Sequence, residues 1–288
     1  MGTSSLSGSG NLTWFITGTS QGFGYELVRA ALQRGDSVVA TSRNPERVQK
    51  EFAAEADRLL AIPLDLRNPA NIAAGVEEAV QRFGRIDVLV NNAGHGLVGA
   101  LEEASDPEIK NVFEINVFGL IRLTRAVLPY FRKQHSGHVV NLSSIGGLVG
   151  LPGWGMYSAT KLAVEGLSEA LAAEGAPLGI KVTIVEPGPF RTDFLGGSLT
   201  TTKERIADYE STAGQSRQYA VDRNGAQQGD PRLAAKAIIQ AVTSENPPLH
   251  FLLGALAYQR AATKIESLQK DFEAWRDVAL ATDFDAAR

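Results

Sequence analysis

The sequence predicts an α/β fold of the Rossmann type, a doubly wound parallel β-sheet of about seven strands with helices on both faces. From residue 12 onward, short apolar runs alternate with longer segments of helical periodicity. Most of the short runs are continuously apolar, which is typical of strands covered on both faces. The length of 288 residues, with no internal repeat or linker, suits one large domain. We therefore expect a single α/β domain.

Each element of this alternation can be placed along the chain. The segments predicted to be strands are 12–17, 37–41, 59–64, 86–90, 138–142, 180–185 and 249–253. The segments predicted to be helices are 22–34, 45–58, 69–83, 106–134, 155–174 and 231–243. Right-handed crossovers between parallel strands would place these helices on both faces of the sheet.

Two segments differ from the alternating domain, which we assign to residues 11–254. Residues 1–10 are rich in Ser and Gly and lack the basic and apolar regions of a signal peptide, so they predict a flexible leader. Residues 188–230 contain no clear strand and mix aromatic with polar residues. A loop of this length in a compact domain predicts a substrate lid, the alternative being a mobile surface insertion.

Residues 255–288 are predicted to be a C-terminal helical extension. Apolar side chains recur at helical spacing, at Ile265, Leu268, Phe272 and Trp275. Packing in the core or between subunits is the role that this pattern favours.

The composition excludes several classes of protein. No cysteine is present, which excludes disulfides, thiolate nucleophiles and cysteine-ligated metals. The net charge of −4 argues against binding to nucleic acid or anionic membranes mainly by charge. No apolar run approaches the ~20 residues of a membrane-spanning helix. We expect a cytoplasmic protein with no nucleic-acid or membrane partner.

A glycine-rich loop follows the first predicted strand and leads directly into a helix. It reads Thr17-Gly-Thr-Ser-Gln-Gly22-Phe-Gly24. Glycines allow a sharp turn and close approach of the backbone to a pyrophosphate, and the helix N-terminus presents free N–H groups to it. Because strand, loop and helix occur in this order, the segment predicts a dinucleotide site.

The end of the second strand indicates which dinucleotide binds. An NAD-binding site places an acidic residue about 20 positions beyond the glycines, where this chain has Ser42 followed by Arg43. A guanidinium pairs with a 2′-phosphate, which a carboxylate would repel. We therefore predict NADP(H) as the cofactor, the alternative being that Arg43 is an ordinary solvated residue.

A tyrosine and a lysine provide candidate acid–base chemistry. Tyr157 and Lys161 lie at i and i+4, so a helix places both on one face. The pKa of free tyrosine is near ~10, and a neighbouring cation lowers it. Ser144 precedes Tyr157 by 13 residues and would position a substrate oxygen beside it. The pair alone also occurs by chance on exposed helices.

These motifs, together with several others, resemble the short-chain dehydrogenase/reductase family in its single-domain branch. Asn91-Asn-Ala-Gly94, Asn116 in Asn-Val-Phe-Gly, Tyr157-Ser-Ala-Thr-Lys161 and Pro187-Gly188 all occur in the family's order. The match covers roughly residues 12–192. It implies hydride transfer between NADP(H) and a carbonyl or an alcohol.

The resemblance also implies roles for individual residues. The catalytic residues would be Asn116, Ser144, Tyr157 and Lys161, with Asn116 interrupting its helix to hold a relay water. The cofactor-binding residues would be Gly18, Ser20, Gln21, Gly22, Phe23, Gly24, Ser42, Arg43, Asp65, Leu66, Asn92, Ala93, Gly94, Tyr157, Lys161, Pro187, Gly188 and Thr192. Asn91 would stabilise the sheet rather than bind the cofactor.

The expected substrate pocket is mostly apolar. Its predicted residues are His95, Ser144, Ile145, Leu151, Trp154 and Tyr157. This set favours a hydrophobic, cyclic or aromatic ketone, aldehyde or alcohol, unless a basic lid residue such as Arg191, Lys203, Arg205 or Arg217 points inward. No metal site is predicted, since His135 and His138 fall in a predicted solvated turn without a third ligand.

Two rival functions are disfavoured by the sequence. One is a catalytically silent NADP(H)-binding sensor or scaffold protein, against which the four catalytic residues are all present. The other is a sugar epimerase or dehydratase of the family's longer branch, whose glycine spacing and larger C-terminal substrate domain are absent here. The resemblance also implies a homo-dimer or homo-tetramer that pairs through the helices carrying Asn116 and Tyr157.

Overall fold

The structure is a computed structural model that describes residues 11–284, so the predicted leader 1–10 lies outside the described residues. The strands are β1 (Thr13–Thr17), β2 (Ser37–Ser42), β3 (Leu59–Pro63), β4 (Val88–Asn91), β5 (Gly96–Val98), β6 (Gly137–Leu142), β7 (Ile180–Pro187), β8 (Leu199–Thr201) and β9 (His250–Leu253). The α-helices are α1 (Gly22–Arg34), α2 (Glu46–Glu51), α3 (Pro69–Phe83), α4 (Asp106–Phe113), α5 (Leu120–Gln134), α6 (Ile145–Leu148), α7 (Gly155–Gly175), α8 (Gln215–Arg223), α9 (Pro231–Val242), α10 (Ala255–Ala274) and α11 (Arg276–Leu280).

Seven strands form one parallel sheet, which confirms the predicted fold class. Their order is β3-β2-β1-β4-β6-β7-β9, and every neighbouring pair is parallel. The chain runs outward from β1 to β3, then crosses back to β4 on the other side of β1. Such a reversal leaves a crevice at the carboxyl ends of the strands, where ligands bind in open α/β sheets.

Alternate residues of the strands supply a core on each face of the sheet. In β1, Trp14 and Ile16 pack with α1 and α9 on one face, while Phe15 packs with α3 and α5 on the other. All three side chains are fully buried. Burial of both faces explains why the strands are continuous apolar runs.

The predicted helix 106–134 is interrupted. It consists of α4, a π-helical turn at Glu114–Gly119, and α5. The turn contains Asn116, where the family resemblance implied a break. Wider π turns of this kind are frequent at functional sites.

The predicted lid has more regular structure than its sequence suggests. Strand β8 pairs in parallel with β5, forming a small second sheet, and α8 follows within the same segment. The ends of the segment meet where Phe190 bridges Gly229. Neither β5 nor β8 could be predicted from the local apolar pattern, because each strand has three residues and pairs with a partner about a hundred positions away.

One prediction about an individual residue is wrong, and one of the two packing roles predicted for the C-terminal extension is not seen in residues 255–284. His138 is not a solvated turn residue, because it lies on β6, is fully buried and contacts the Thr183 hydroxyl at 2.9 Å. The C-terminal extension does not pack its apolar side chains into the core. Within α10 only Ala257 and Ala261 are buried, and the large apolar side chains Ile265, Phe272 and Trp275 are exposed.

Among residues 11–284, none of the helices combines the length and apolar character that crossing a bilayer requires.

Candidate active site

A cavity of about 960 Å³ lies at the carboxyl ends of the central strands. Every residue predicted to bind cofactor or substrate, or to act in catalysis, contributes to its wall except Gly24 and Asn116. The structure thus brings residues from positions 18 to 192 to one place. The two exceptions lie directly behind the wall.

The glycine loop has the backbone geometry that a phosphate cradle requires. Gly18 and Gly22 have φ values of 69° and 60°, a region that disfavours other residues. At the N-terminus of α1, the Gln21 side chain makes no capping bond, and the first turn has no acidic residue. The first N–H groups of the helix are therefore left for an anion.

Gly24 has a packing role, which explains why it is absent from the cavity wall. A Cβ at this position would lie 2.4 Å from the Gly18 carbonyl oxygen and 2.5 Å from Nδ2 of Asn92. Only glycine allows the helix to approach the loop this closely. Its contribution to the site is to hold the loop in shape.

The asparagines of the Asn-Asn-Ala-Gly motif hold the loop and the sheet together. Nδ2 of Asn92 donates to the carbonyls of Thr17 and Gly18, at 2.8 and 3.1 Å. Nδ2 of Asn91 instead donates to Oγ1 of Thr124 and Oδ1 of Asn141. The structure therefore places Asn91 within the sheet, as expected, and gives Asn92 a direct role in shaping the loop.

Where β2 ends, the wall of the cavity combines a hydroxyl without a hydrogen-bond partner and a positively charged side chain. Ser42 is buried, and its Oγ has no hydrogen-bond partner. Arg43 is exposed beside it and forms no ion pair within residues 11–284. Asp65 is the nearby acid, and its hydrogen bonds with Arg67 lower the pKa of its carboxyl to about 2. The Asp65 charge is thus already paired with a guanidinium.

Tyr157, Lys161 and Ser144 meet where α7 crosses the end of β6. Tyr157 and Lys161 are one turn apart on the buried face of α7. Nζ of Lys161 donates to the Leu142 carbonyl at 2.6 Å and lies 5.8 Å from the centroid of the Tyr157 ring. Ser144 is the N-cap of α6, where its Oγ accepts from the Gly146 N–H, and it also hydrogen-bonds Tyr157.

Burial dominates the electrostatics of this group. It raises the pKa of Tyr157 to about 12, opposed by the hydrogen bond with Ser144. Burial also lowers the pKa of Lys161 to about 8, opposed by the Glu165 carboxylate. Burial is the largest influence on the tyrosine pKa, and the prediction that Lys161 lowers it stays a prediction.

Asn116 joins the backbone at His95 to α7. Its Oδ1 accepts from the backbone N–H of His95, and its Nδ2 donates to the His95 carbonyl and to Oγ1 of Thr160. A Cβ at Gly94 would lie 3.1 Å from this Oδ1 and 3.7 Å from Nζ of Lys161. The π-helical turn therefore places the Asn116 amide next to the lysine, and Gly94 makes room between them.

An aromatic wall lies on the substrate side. Phe194 packs against both Trp154 and Tyr157, with ring centroids 6.4 Å and 5.3 Å away, and those two rings are 5.8 Å apart. Sequence reasoning did not assign Phe194 to the site, although its position two residues after Thr192 was a usable signal. Thr192 caps the short turn that carries it.

Polar residues that were not predicted also line the cavity, among them Ser198, Thr212, Gln215 and Gln227. Nε2 of His95 lies 3.2 Å from Nδ2 of Asn111. Asn111 was not predicted to belong to the site. Burial lowers the pKa of His95, which favours its neutral imidazole form. None of the four basic lid residues considered above lines the cavity, but Arg260 of α10 does.

The lid is fixed to the body of the protein by a buried ion pair. Nη1 of Arg217 in α8 pairs with Oε2 of Glu103 at 2.6 Å, and both side chains are buried. The same carboxylate accepts the backbone N–H groups of Ala100 and Ile206. Segment 188–230 is therefore anchored to the rest of the protein through the buried Glu103 carboxylate.

Comparisons with known proteins agree with this geometry. A family model described as short chain dehydrogenase matches residues 13–203. The 3-ketodihydrosphingosine reductase of Bacteroides thetaiotaomicron is 40% identical over 245 residues, which cover 84% of this chain and 87% of the relative. The crystal structure of a short-chain dehydrogenase from Streptomyces avermitilis has a TM-score of 0.90 and 43% identity, covering 96% of this chain and all of that one.

Less similar solved structures contain both types of nicotinamide cofactor. A short-chain dehydrogenase from Sphingobium yanoikuyae in complex with NADPH has a TM-score of 0.70 and 26% identity, covering 96% of this chain and 98% of that one. A 3-ketoacyl-(acyl-carrier-protein) reductase from Brucella melitensis complexed with NADH has a TM-score of 0.71 and 25% identity, covering 84% and 96%. Since the family model spans about two thirds of the chain, and close relatives span most of the rest, this protein is an enzyme of the short-chain dehydrogenase family of oxidoreductases.

Proposed function

We propose that the protein is an NADP(H)-dependent oxidoreductase that interconverts a hydrophobic ketone or aldehyde with its alcohol, using Tyr157 as the acid–base. The observation that carries this proposal is the meeting of Tyr157, Ser144 and Lys161 in the wall of the cavity that also contains the glycine loop.

The residues present fit a nicotinamide dinucleotide. The loop at Gly18–Gly22 and the uncapped start of α1 suit the pyrophosphate. Asp65 and Leu66 would flank the adenine, while Asn92, Ala93 and Gly94 lead toward the nicotinamide. Pro187, Gly188 and Thr192 line the opposite wall, where Thr192 would hold the carboxamide. When bound, the cofactor supplies or accepts the hydride.

The protein's own residues would handle the proton. In the reductive direction, the Tyr157 hydroxyl donates its proton to the substrate oxygen, which Ser144 holds in place by a hydrogen bond. The Lys161 ammonium stabilises the phenolate that remains, because an opposite charge nearby favours the ionised form. Asn116 would hold the water through which the phenolate recovers a proton from solvent.

The preference for NADP(H) rests on Ser42 and Arg43. The free Ser42 hydroxyl and the unpaired Arg43 guanidinium suit a 2′-phosphate better than a pair of ribose hydroxyls. Solved relatives bind either cofactor, so kinetics must decide. We expect wild-type enzyme to have the higher kcat/KM with NADPH, and Arg43→Ala to lose that preference while Lys50→Ala, an exposed control on α2, keeps it. A higher kcat/KM with NADH in the wild type would contradict the proposal.

The substrate is proposed to be a hydrophobic carbonyl compound. Trp154, Phe194, Ile145 and Leu151 supply an apolar wall, and one relative is named as the reductase of a ketone. A panel of ketones and aldehydes with NADPH tests this proposal. Higher kcat/KM for small polar acids than for aromatic or cyclic ketones would contradict it.

We also propose that the enzyme is a cytoplasmic homo-dimer or homo-tetramer. The helical segments that carry the site also have exposed apolar side chains. These are Phe118, near Asn116, and Leu162 and Leu167 on α7. Large apolar side chains of this kind are enriched where subunits meet. Light scattering of the wild type and of a Leu162→Asp variant tests the assembly, which we expect the aspartate to disrupt.

The experiment that separates catalysis from a silent binding protein is the reaction itself. We expect NADPH oxidation in the presence of a ketone, and its loss in Tyr157→Phe with NADPH binding retained. Cofactor binding without turnover of any carbonyl in the wild type would favour the sensor or scaffold instead.

A further inference from the structure

A cluster of ionisable side chains lies outside the cavity wall, where three elements of the fold meet. Glu165 is on α7, Glu186 is near the end of β7, and His250 is the first residue of β9. One donor atom from each lies within 4.8 Å of the other two. Nδ1 of His250 is 2.8 Å from Oε1 of Glu186 and 3.8 Å from Oε2 of Glu165.

The two buried carboxylates share a single hydrogen-bond partner, Nδ1 of His250, which contacts Oε1 of Glu186. Glu165 is 3% exposed and Glu186 is fully buried. Neither oxygen of Glu165 has a hydrogen-bond partner, and Oε2 of Glu186 also lacks one. The nearest hydroxyl, that of Ser143, donates to the Lys161 carbonyl instead. Two adjacent carboxylates in such a place require a compensating positive group.

The third member of the cluster has the orientation of a metal ligand. Nδ1 of His250 points toward the two buried carboxylates, while its Nε2 lies 3.6 Å from Oε1 of the exposed Glu169. Metal-bound histidines typically place their second ring nitrogen against a carboxylate in this way, which fixes the ring. The His250 side chain is 44% exposed, so the cluster also has a path to solvent.

We propose that Glu165, Glu186 and His250 form a binding site for a divalent first-row metal ion, Zn²⁺ or Mn²⁺. Two carboxylates balance the charge of a dication. Imidazole and carboxylate donors together suit these ions, whereas Mg²⁺ and Ca²⁺ prefer six or more oxygen ligands. Water would complete the coordination.

Such an ion would act on the architecture around the active site. It would join α7, which carries Tyr157 and Lys161, to β7 and β9. Helix α6, which begins directly after Ser144, packs on the same carboxylate, since a Cβ at Gly147 would lie 2.8 Å from Oε1 of Glu165. The proposed site is therefore structural, and it stands whether or not the proposed reaction is correct.

The test uses the full-length protein, stripped of metal with a chelator and titrated with Zn²⁺ and separately with Mn²⁺. We expect saturable binding of one ion per chain by calorimetry, together with a higher Tm. Glu165→Gln, Glu186→Gln and His250→Ala should each weaken binding by at least about tenfold. Two controls should bind as the wild type does: Glu174→Gln, an exposed carboxylate on the same helix, and His135→Asn, an exposed histidine whose backbone conformation asparagine tolerates.

Several outcomes would overturn the proposal. Absence of saturable binding to the wild type would do so, as would binding that survives the three ligand variants. Because His250 is at the surface, its alanine variant keeps the test valid even if a buried glutamine variant fails to fold. Higher stability of Glu165→Gln with no metal binding in the wild type would show that the carboxylates share a proton instead.

Discussion

The Lys161 ammonium nitrogen lies 5.8 Å from the centroid of the Tyr157 ring, and both side chains lie on the buried face of α7. The ammonium donates to the Leu142 carbonyl, so it ties the helix to the end of β6. This placement keeps a positive charge next to the phenol while excluding bulk water from both. The ionisation of each group therefore depends mainly on burial.

The first prediction concerns the pH dependence of ketone reduction. Burial lowers the pKa of Lys161 to about 8. The lysine is charged below this value and loses its charge as the pH rises through it, which removes the group that stabilises the phenolate. We expect kcat/KM for reduction to fall as the pH rises above about 8, measured at saturating NADPH. A rate that stays constant from about pH 7 to about pH 10 would show that the lysine charge is not needed.

The second prediction concerns the glycine loop. Gly24→Ala would bring a Cβ to 2.4 Å from the Gly18 oxygen, so we expect a loss of about 1–3 kcal/mol in the free energy of unfolding and weaker cofactor binding. Gly166 in α7 is a matched control, because a Cβ there meets nothing within 4 Å. Gly166→Ala should raise the free energy of unfolding by about 0.5–1 kcal/mol. Chemical denaturation measures the free energy of unfolding of each variant. Equal changes in Gly24→Ala and Gly166→Ala would contradict the packing argument.

The third prediction concerns the lid. Arg217→Met leaves the buried Glu103 carboxylate without its ion-pair partner, which typically costs about 3–5 kcal/mol. We expect faster proteolysis within 188–230 and a higher KM. Arg205→Met, an exposed lid residue, should change neither property. If Arg217→Met is as resistant to protease as wild type, the ion pair does not hold the lid.

The same ion pair predicts how the lid responds to acid. The pKa of Glu103 is lowered because its hydrogen bonds and Arg217 together outweigh burial, the largest single effect. A carboxyl with a lowered folded pKa stabilises the structure at neutral pH, and that contribution is lost as the pH falls through the folded value. We therefore expect protection of the lid from protease to decrease on acidification in the wild type. Glu103→Gln should show a smaller pH dependence.

The sequence predicted those parts of the fold that depend on local pattern. Continuous apolar runs identified all seven strands of the main sheet, and the order of motifs identified which residues would meet at its edge. Residues that depend on distant contacts were missed. Phe194 reaches the site only because the lid folds back over it, and β8 exists only because β5 lies beside it.

Burial was the other property that the sequence could not supply. His138 looked like a turn residue because it follows a helix end, yet it lies within the sheet. Glu165 and Glu186 gave no signal at all, because their significance depends on His250, which is 64 residues beyond Glu186 in the chain. The raised pKa of Tyr157 likewise follows from the degree of desolvation, which spacing along a helix does not reveal.

The central claim, that Tyr157 is the proton donor in an NADPH-dependent carbonyl reduction, is tested most directly by steady-state ketone reduction with matched tyrosine variants. The control is Tyr219→Phe, because Tyr219 also lines the cavity but lies in α8 and is partly exposed. We predict that Tyr157→Phe lowers kcat by at least about 100-fold with NADPH binding unchanged, and that Tyr219→Phe retains most of the activity. A Tyr157→Phe enzyme that keeps more than about a tenth of the wild-type kcat would contradict the account, because a general acid contributes about 100-fold or more.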